Sequence, residues 1–283
     1  MAVGYVYSSQ LSYPHSVFTC IARKSIRFLL GAADVQFKKI NLLRPRRRLE
    51  IVSTFLSPLP NLIILFSEDK SAFADLARSL VNNTGCSVAI PNYRLTTKEN
   101  ALRHPAHSED ILAFLEFIIT WRGPIDISCF DNTQIYPVGH SCSTHMLCSI
   151  FLDSSQITPS LTPSPSLLTA VKGIVLSEGI YDLAMLIRTF ENYAEWFVIP
   201  AFGEDKPLEA FDITQYERRR GNEDIRWLIL HSKSDTLIDM AQSERAFEHL
   251  KGSAIFIGDR LCKEHDEIFT EDAYIDAIRD FIQ

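Results

Sequence analysis

Gln134-Ile135-Tyr136-Pro137-Val138 reads as a strand and Cys142 to Leu152 as a helix, so Gly139-His140-Ser141-Cys142-Ser143 is left as a junction between them. A backbone that turns this sharply from strand to helix passes only if the residues two before and two after the apex are small. Here they are Gly139 and Ser143. Glycine is usual at the second position, so Ser143 is a departure. Such a turn holds the Ser141 hydroxyl above the C-terminal edge of a sheet. It also aims the N–H of Cys142, at a helix N-terminus, towards a developing oxyanion. The plainer reading of Ser141 is a helix-capping serine.

Working outward, short apolar runs alternate with helix-period segments. Leu62-Ile63-Ile64-Leu65-Phe66 is continuously apolar, as expected of a strand buried on both faces of a parallel sheet. A helix follows over Ser71 to Val81, a strand over Cys86 to Ile90 stopped by Pro91, and a helix over His107 to Trp121. Beyond the serine junction come strands at Val171–Leu176, Arg226–Leu230 and Ser253–Ile257. Helices are expected at about Ala241–Leu250 and Thr270–Ile282. This alternation predicts an α/β fold with a mainly parallel sheet, because right-handed crossovers place helices on both faces. Upstream, Val35–Leu42 and Leu49–Phe55 alternate like an antiparallel pair at one sheet edge. The expected organisation is an N-terminal edge-strand region over 1–60 and one domain over 61–283. Ser154–Ser166, rich in Ser, Thr and Pro, reads as a mobile loop. The helical, aromatic interval at about 181–220 reads as a cap inserted over the sheet edge.

A serine hydroxyl is a poor nucleophile until a base accepts its proton, and the base needs an orienting acid. The strand Arg226–Leu230 runs into His231-Ser232-Lys233-Ser234-Asp235, which puts Asp235 at a strand's C-terminal end. Its alternative role is to cap the next helix, with Asp239 as the substitute acid. His265 follows the last strand on a loop and is the histidine best placed to reach Ser141. His249 lies on a helix, and His104 and His107 flank a helix start. His145 is inside the helix after the serine, and His140 is expected to point away from it. His231 is a candidate supporting residue.

Composition sets limits. The chain has 283 residues, 46% apolar and 22% charged, an ordinary globular balance that excludes a wholly disordered, collagenous or coiled-coil chain. With 28 basic and 35 acidic residues the net charge is −7, so the broad basic surface that binds nucleic acid is missing. The cluster Arg44, Arg46, Arg47 and Arg48 is short and reads as a solvated loop. The six cysteines form no metal-ligand or disulfide pattern. No apolar run reaches the roughly eighteen residues of a membrane span, and Pro14, His15, Arg23, Lys24 and Arg27 break up any signal-peptide core. The expectation is a soluble cytoplasmic protein that binds a small-molecule substrate, uses no metal or cofactor, contacts neither nucleic acid nor membrane, and is a monomer or homodimer.

Several elements together resemble the α/β-hydrolase superfamily, and within it the esterase and kynurenine formamidase (arylformamidase) branch. They are Pro91-Asn92-Tyr93-Arg94-Leu95, His104-Pro105 with Asp110, Gly139-His140-Ser141, Ser177-Glu178-Gly179-Ile180-Tyr181-Asp182-Leu183, and His231-Ser232 with Asp235. The resemblance spans about 61–283. It implies a cofactor-independent serine hydrolase of tryptophan catabolism or a related pathway, with Ser141, His265 and Asp235 as its triad. The substrate it implies is an aryl formamide such as N-formylkynurenine, a carboxylic ester, or a thioester of a secondary metabolite. Relatives carry His-Gly-Gly after the strand equivalent to Leu62–Phe66, where this chain has Ser67-Glu68-Asp69-Lys70. Three alternatives follow: the N–H of Ser67 or a neighbour is the second oxyanion donor, the chain is a catalytically impaired binding protein, or the sequence comes from an imperfect gene model, as its unfamiliar first sixty residues also suggest. Phe190, Tyr193, Trp196 and Phe197 are the candidate substrate-binding aromatics. Phe190, Tyr193 and Phe197 fall at helical spacing, so a core stripe is the alternative.

Overall fold

Side chains along the central strands alternate between two separate apolar cores. Ile63 and Leu65, Ile135, Ile174 and Leu176, and Trp227 and Ile229 pack on one face; Leu62 and Ile64, Tyr136 and Val138, Val175, and Leu228 and Leu230 pack on the other. A strand buried on both faces must be apolar at every position, and this is why its sequence shows no polar alternation.

In the computed structural model the residues described are 5–10, 17–22, 61–65, 73–121, 131–221 and 223–283. They form an eight-stranded sheet in the order β1-β2-β4-β3-β5-β6-β7-β8. The strands are β1 (Tyr5–Gln10), β2 (Val17–Ala22), β3 (Asn61–Leu65), β4 (Ser87–Pro91), β5 (Ile135–His140), β6 (Gly173–Ser177), β7 (Arg226–Leu230) and β8 (Ala254–Ile257). From β4 to β8 every pairing is parallel, while β1 and β2 are antiparallel at one edge. The antiparallel edge expected at Val35–Leu42 and Leu49–Phe55 falls outside the described residues. The strands that occupy the edge come from nearer the N-terminus.

The helices are α1 (Ala74–Thr84), α2 (Ala106–Ile118), α3 (Cys142–Phe151), α4 (Pro165–Ala170), α5 (Leu183–Thr189), α6 (Ile199–Phe202), α7 (Met240–His249) and α8 (Asp272–Ile282). α1 and α8 cover one face of the sheet, and α2, α3 and α7 contribute to the core on the other. No described helix is long and apolar enough to cross a membrane.

Two expectations are corrected. Ser154–Ser166 is packed rather than loose: Leu161 is buried, Ser164 caps α4 through the Leu167 N–H, and Glu116 of α2 accepts from both the N–H and the hydroxyl of Ser164. Local hydrogen bonds by Ser and Thr make this segment specific, although its composition resembles a linker. The second correction concerns Pro91. It closes β4 as its last residue and does not lie beyond it, because a proline can end a strand where no ladder donor is required.

The interval after β6, read from the sequence as a cap, is helical. α5 leads through a π-helical turn at Ala194–Val198 into α6 and then two short 3₁₀ turns. Ile180, Leu183, Leu186, Val198, Phe211 and Ile238 form a small third core beneath it.

Candidate active site

β5 and α3 meet at Ser141, which has φ 54° and ψ −122°. A non-glycine residue at positive φ is strained, and such strain persists only where the surroundings hold it. Here the Ser141 N–H donates to the Ser177 carbonyl at 2.9 Å, and the Ser141 carbonyl accepts from the Thr144 hydroxyl at 2.6 Å. The same Thr144 oxygen receives the Ile180 N–H at 3.0 Å, so the turn is tied to the loop after β6. α3 begins at Cys142, whose N–H has no acceptor within the helix and lies at its positive end.

The two small neighbours are explained by contact. A Cβ at Gly139 would lie 2.9 Å from the Ser143 carbonyl oxygen and from Leu147 Cδ1. Gly139→Ala is therefore expected to destabilise the fold by about 1–3 kcal/mol through overpacking. A thermal melt with an unchanged midpoint would contradict that contact. Ser143, where glycine is usual, is fully buried, and its hydroxyl pairs with the buried Tyr93 hydroxyl at 3.1 Å. Tyr93→Phe leaves the Ser143 hydroxyl short of this partner. The expected loss is about 1–2 kcal/mol in denaturant unfolding, against little change in the double variant Tyr93→Phe/Ser143→Gly.

On the loops after β7 and β8, His265 Nδ1 donates to Asp235 Oδ2 at 2.7 Å. Asp235 Oδ1 accepts the N–H groups of Leu237 and Ile238 at 2.8 and 3.0 Å. Burial opposes a charge on Asp235, but the hydrogen bond from His265 outweighs it and holds the carboxyl well below its usual range. Asp239, the substitute acid, is the N-cap residue of α7. The imidazole of His265 sits 4.5 Å from the ring of His140, the residue just before Ser141. His140 thus packs beneath His265 and does not point away from the site. Burial pushes its imidazole down to about 4, and Nδ1 lies 3.3 Å from the Ser177 hydroxyl.

Ser141, Cys142 and His265 line one cavity of about 970 Å³. Its walls are mainly apolar, with Leu95, Met146, Ile180, Leu183, Leu237 and Ile238 among the lining residues. The cap contributes Tyr193, Trp196, Phe197 and Phe202. Trp196 is 63% exposed, which places it at the mouth. Phe190 is not among the lining residues. It ends α5 and stacks on Tyr193 at 4.9 Å, so it backs the wall. The spacing of Phe190, Tyr193 and Phe197 suggested one helical stripe, but the chain leaves α5 at Phe190 and re-forms as a π turn. Ser67, the other candidate oxyanion donor, lies outside the described residues.

The solved structure of an inhibited esterase B from Lactobacillus rhamnosis superposes with a TM-score of 0.69, covering 99% of this chain and 87% of that one at 12% identity. The chain has the α/β-hydrolase fold. A carbohydrate esterase from gut microbiota matches at TM-score 0.59, over 80% of this chain and 85% of that one, at 18% identity. Among curated proteins, a kynurenine formamidase of the yeast Meyerozyma guilliermondii is 26% identical over 174 residues, which is 58% of this chain and 59% of that protein. The chain thus matches little more than half the length of that relative. No family model matches. The chain is thus similar in fold to esterases and, over part of its sequence, to a kynurenine formamidase.

The motifs quoted for that branch have local jobs in this fold. Arg94 reaches Asp110 of α2 through Nε and Nη2 at 2.8 and 2.7 Å, clamping the segment after β4 to the helix. In Gly179-Ile180-Tyr181-Asp182-Leu183, the Tyr181 ring lies where a Gly179 side chain would be, and Asp182 caps α5. Gln242 of α7 holds this loop by accepting from the N–H groups of Tyr181 and Asp182, each at 2.9 Å. Neither Gln242 nor Glu178 was expected from the sequence to support the site. The available signal for Glu178 was its place one residue beyond a strand, beside the strand that ends at Leu230 just before His231.

Proposed function

We propose that the protein is a serine hydrolase that cleaves an aryl formamide or a carboxylic ester through an acyl-enzyme. The observation that supports this best is the 2.7 Å hydrogen bond from His265 to Asp235, in a cavity shared with a serine held at positive φ. In this reading Ser141 Oγ attacks the carbonyl carbon while His265 Nε2 takes its proton. Asp235 keeps the imidazole in the tautomer with Nδ1 protonated and stabilises the imidazolium that forms. The Cys142 N–H binds the oxyanion of the tetrahedral intermediate. His265 then gives its proton to the departing amine or alkoxide, and the acyl group stays on Ser141. A water molecule, deprotonated by His265, attacks the acyl carbon and releases the acid, returning the proton to Ser141.

The aromatic cap suits a flat, apolar leaving group or acyl group stacked between Tyr193, Trp196 and Phe197. An N-formyl aryl amine related to N-formylkynurenine and a hydrophobic ester both meet that description. The test compares kcat/KM for N-formylkynurenine, p-nitrophenyl acetate and a short acyl thioester. Turnover of the formamide well above both esters supports the formamidase reading, and ester turnover alone reduces it to a carboxylesterase. No turnover of any of the three, above a Ser141→Ala background, would overturn the hydrolase reading.

A further inference from the structure

We propose that Glu178 is a positioning residue of this site: its carboxylic acid donates a hydrogen bond to the Asp235 carboxylate and so fixes the group that holds His265. The inference rests on the hydrolase reading of Ser141, His265 and Asp235. Glu178 is fully buried and directly follows β6, with φ 49°, a second non-glycine residue at positive φ beside the site. Its N–H donates to the Leu230 carbonyl at 2.9 Å. Because Ser177 pairs with Leu230 across β6 and β7, the side chain falls against His231 and Ser232.

Glu178 Oε1 accepts the Ser232 N–H at 2.9 Å. Oε2 is buried and finds no donor among the described residues. The nearest nitrogen is His231 Nε2 at 3.5 Å, which also faces the Ile238 carbonyl at 3.2 Å and Asp235 Oδ2 at 3.9 Å. Oxygens of Glu178 and Asp235 and a ring nitrogen of His265 all lie within 4.8 Å of one another. Two carboxylates this close and this dry cannot both be ionised, so one holds a proton. Asp235 faces His265 and two backbone donors and keeps the charge. Glu178, with an unpartnered oxygen, takes the proton.

The groups around Glu178 agree. Burial comes first and the adjacent Asp235 second in raising its carboxyl to about 10, with Glu271 adding in the same direction and the Ser232 N–H opposing. Burial lowers the His231 imidazole from its ordinary value, against the pull of Asp235. Tyr181 on its own loop and Tyr274 of α8 also lie within electrostatic range and are buried phenols. The proton therefore stays on Glu178 through neutral pH and leaves only in alkali.

Glu178→Gln keeps a donor and a neutral charge; Glu178→Ala removes both and strands the Ser232 N–H. At neutral pH kcat is expected to stay within about threefold in Gln and to fall about 10- to 100-fold in Ala. Wild-type kcat/KM should decline as the pH approaches about 10, and this decline should be absent in Gln. A Gln variant as impaired as Ala, or one with the wild-type alkaline decline, overturns the proposal. Activity that is lost on chelation would also overturn it, by putting a metal where the proton is placed.

Melting temperature against pH gives a readout that needs no turnover. A carboxyl raised on folding contributes stability that is complete below its ordinary range and drains away as the pH climbs towards the folded value. Gln should therefore gain on wild type with each step upward in pH. If this gain appears while the wild type hydrolyses nothing, the reading of the site falls and the proton on Glu178 stands. If the wild type is active and the two melting curves stay parallel, the proposal falls and the reading of the site stands.

Discussion

Ser141→Ala is expected to lower kcat by about 10⁴- to 10⁶-fold on any substrate the protein turns over, with KM nearly unchanged. The loss is so large because the serine has no substitute. Cys142 is the nearest other nucleophile lining the cavity, but its thiol is pushed up by burial and lies 3.8 Å from the Tyr93 hydroxyl. The variant should fold, since alanine demands no more of the turn at φ 54° than serine does. Steady-state kinetics with a matched thermal melt checks both parts. Activity within about tenfold of wild type would remove Ser141 from the chemistry.

Asp235→Asn is expected to cost about 10⁴-fold in kcat while leaving the geometry intact. The argument depends on which way the amide must sit. Oδ1 receives two backbone N–H groups, from Leu237 and Ile238, so the amide oxygen is held there and the NH₂ takes the place of Oδ2. It then faces His265 Nδ1 at the 2.7 Å position and donates to it. The imidazole proton moves to Nε2, and the ring can no longer accept the serine proton. A pH profile of kcat for this variant should show activity returning in alkali as another base takes over. A variant with near wild-type kcat at neutral pH would show that Asp235 does not set the tautomer.

Acid should also weaken the fold through Asp235. A carboxyl whose folded value is lowered contributes stability above its ordinary range and loses it as the pH falls towards the folded value. Urea midpoints should therefore drop on acidification more steeply in wild type than in Asp235→Asn. Equal slopes would contradict the hydrogen-bonded, ionised state of Asp235.

Much of this was legible in the residues. Strands such as Leu62–Leu65 and Arg226–Leu230 are recognisable because burial on both faces demands an unbroken apolar run. Gly139 and Ser141 are recognisable because a strand-to-helix turn restricts what fits. What escaped depends on register between distant strands. Glu178 meets Ser232 and Asp235 only because Ser177 pairs with Leu230, and His140 meets Ser177 only because β5 pairs with β6. Gln242 acts from α7 on a loop sixty residues earlier, with no local pattern to mark it. Phe190 misled for the opposite reason. Its spacing from Tyr193 and Phe197 is helical, but the chain changes from an α-helix to a π turn between them. The described edge strands β1 and β2 lie upstream of Val35–Leu42 and Leu49–Phe55, whose alternation suggested an antiparallel edge and which fall outside the described residues.

Labelling with a fluorophosphonate, followed by mass spectrometry of the proteolysed protein, tests the central claim most directly. One adduct is expected, on Ser141, and it should be lost in Ser141→Ala and slowed by several orders of magnitude in His265→Ala. An adduct on another residue, or labelling at an unchanged rate without the imidazole of His265, would contradict the account.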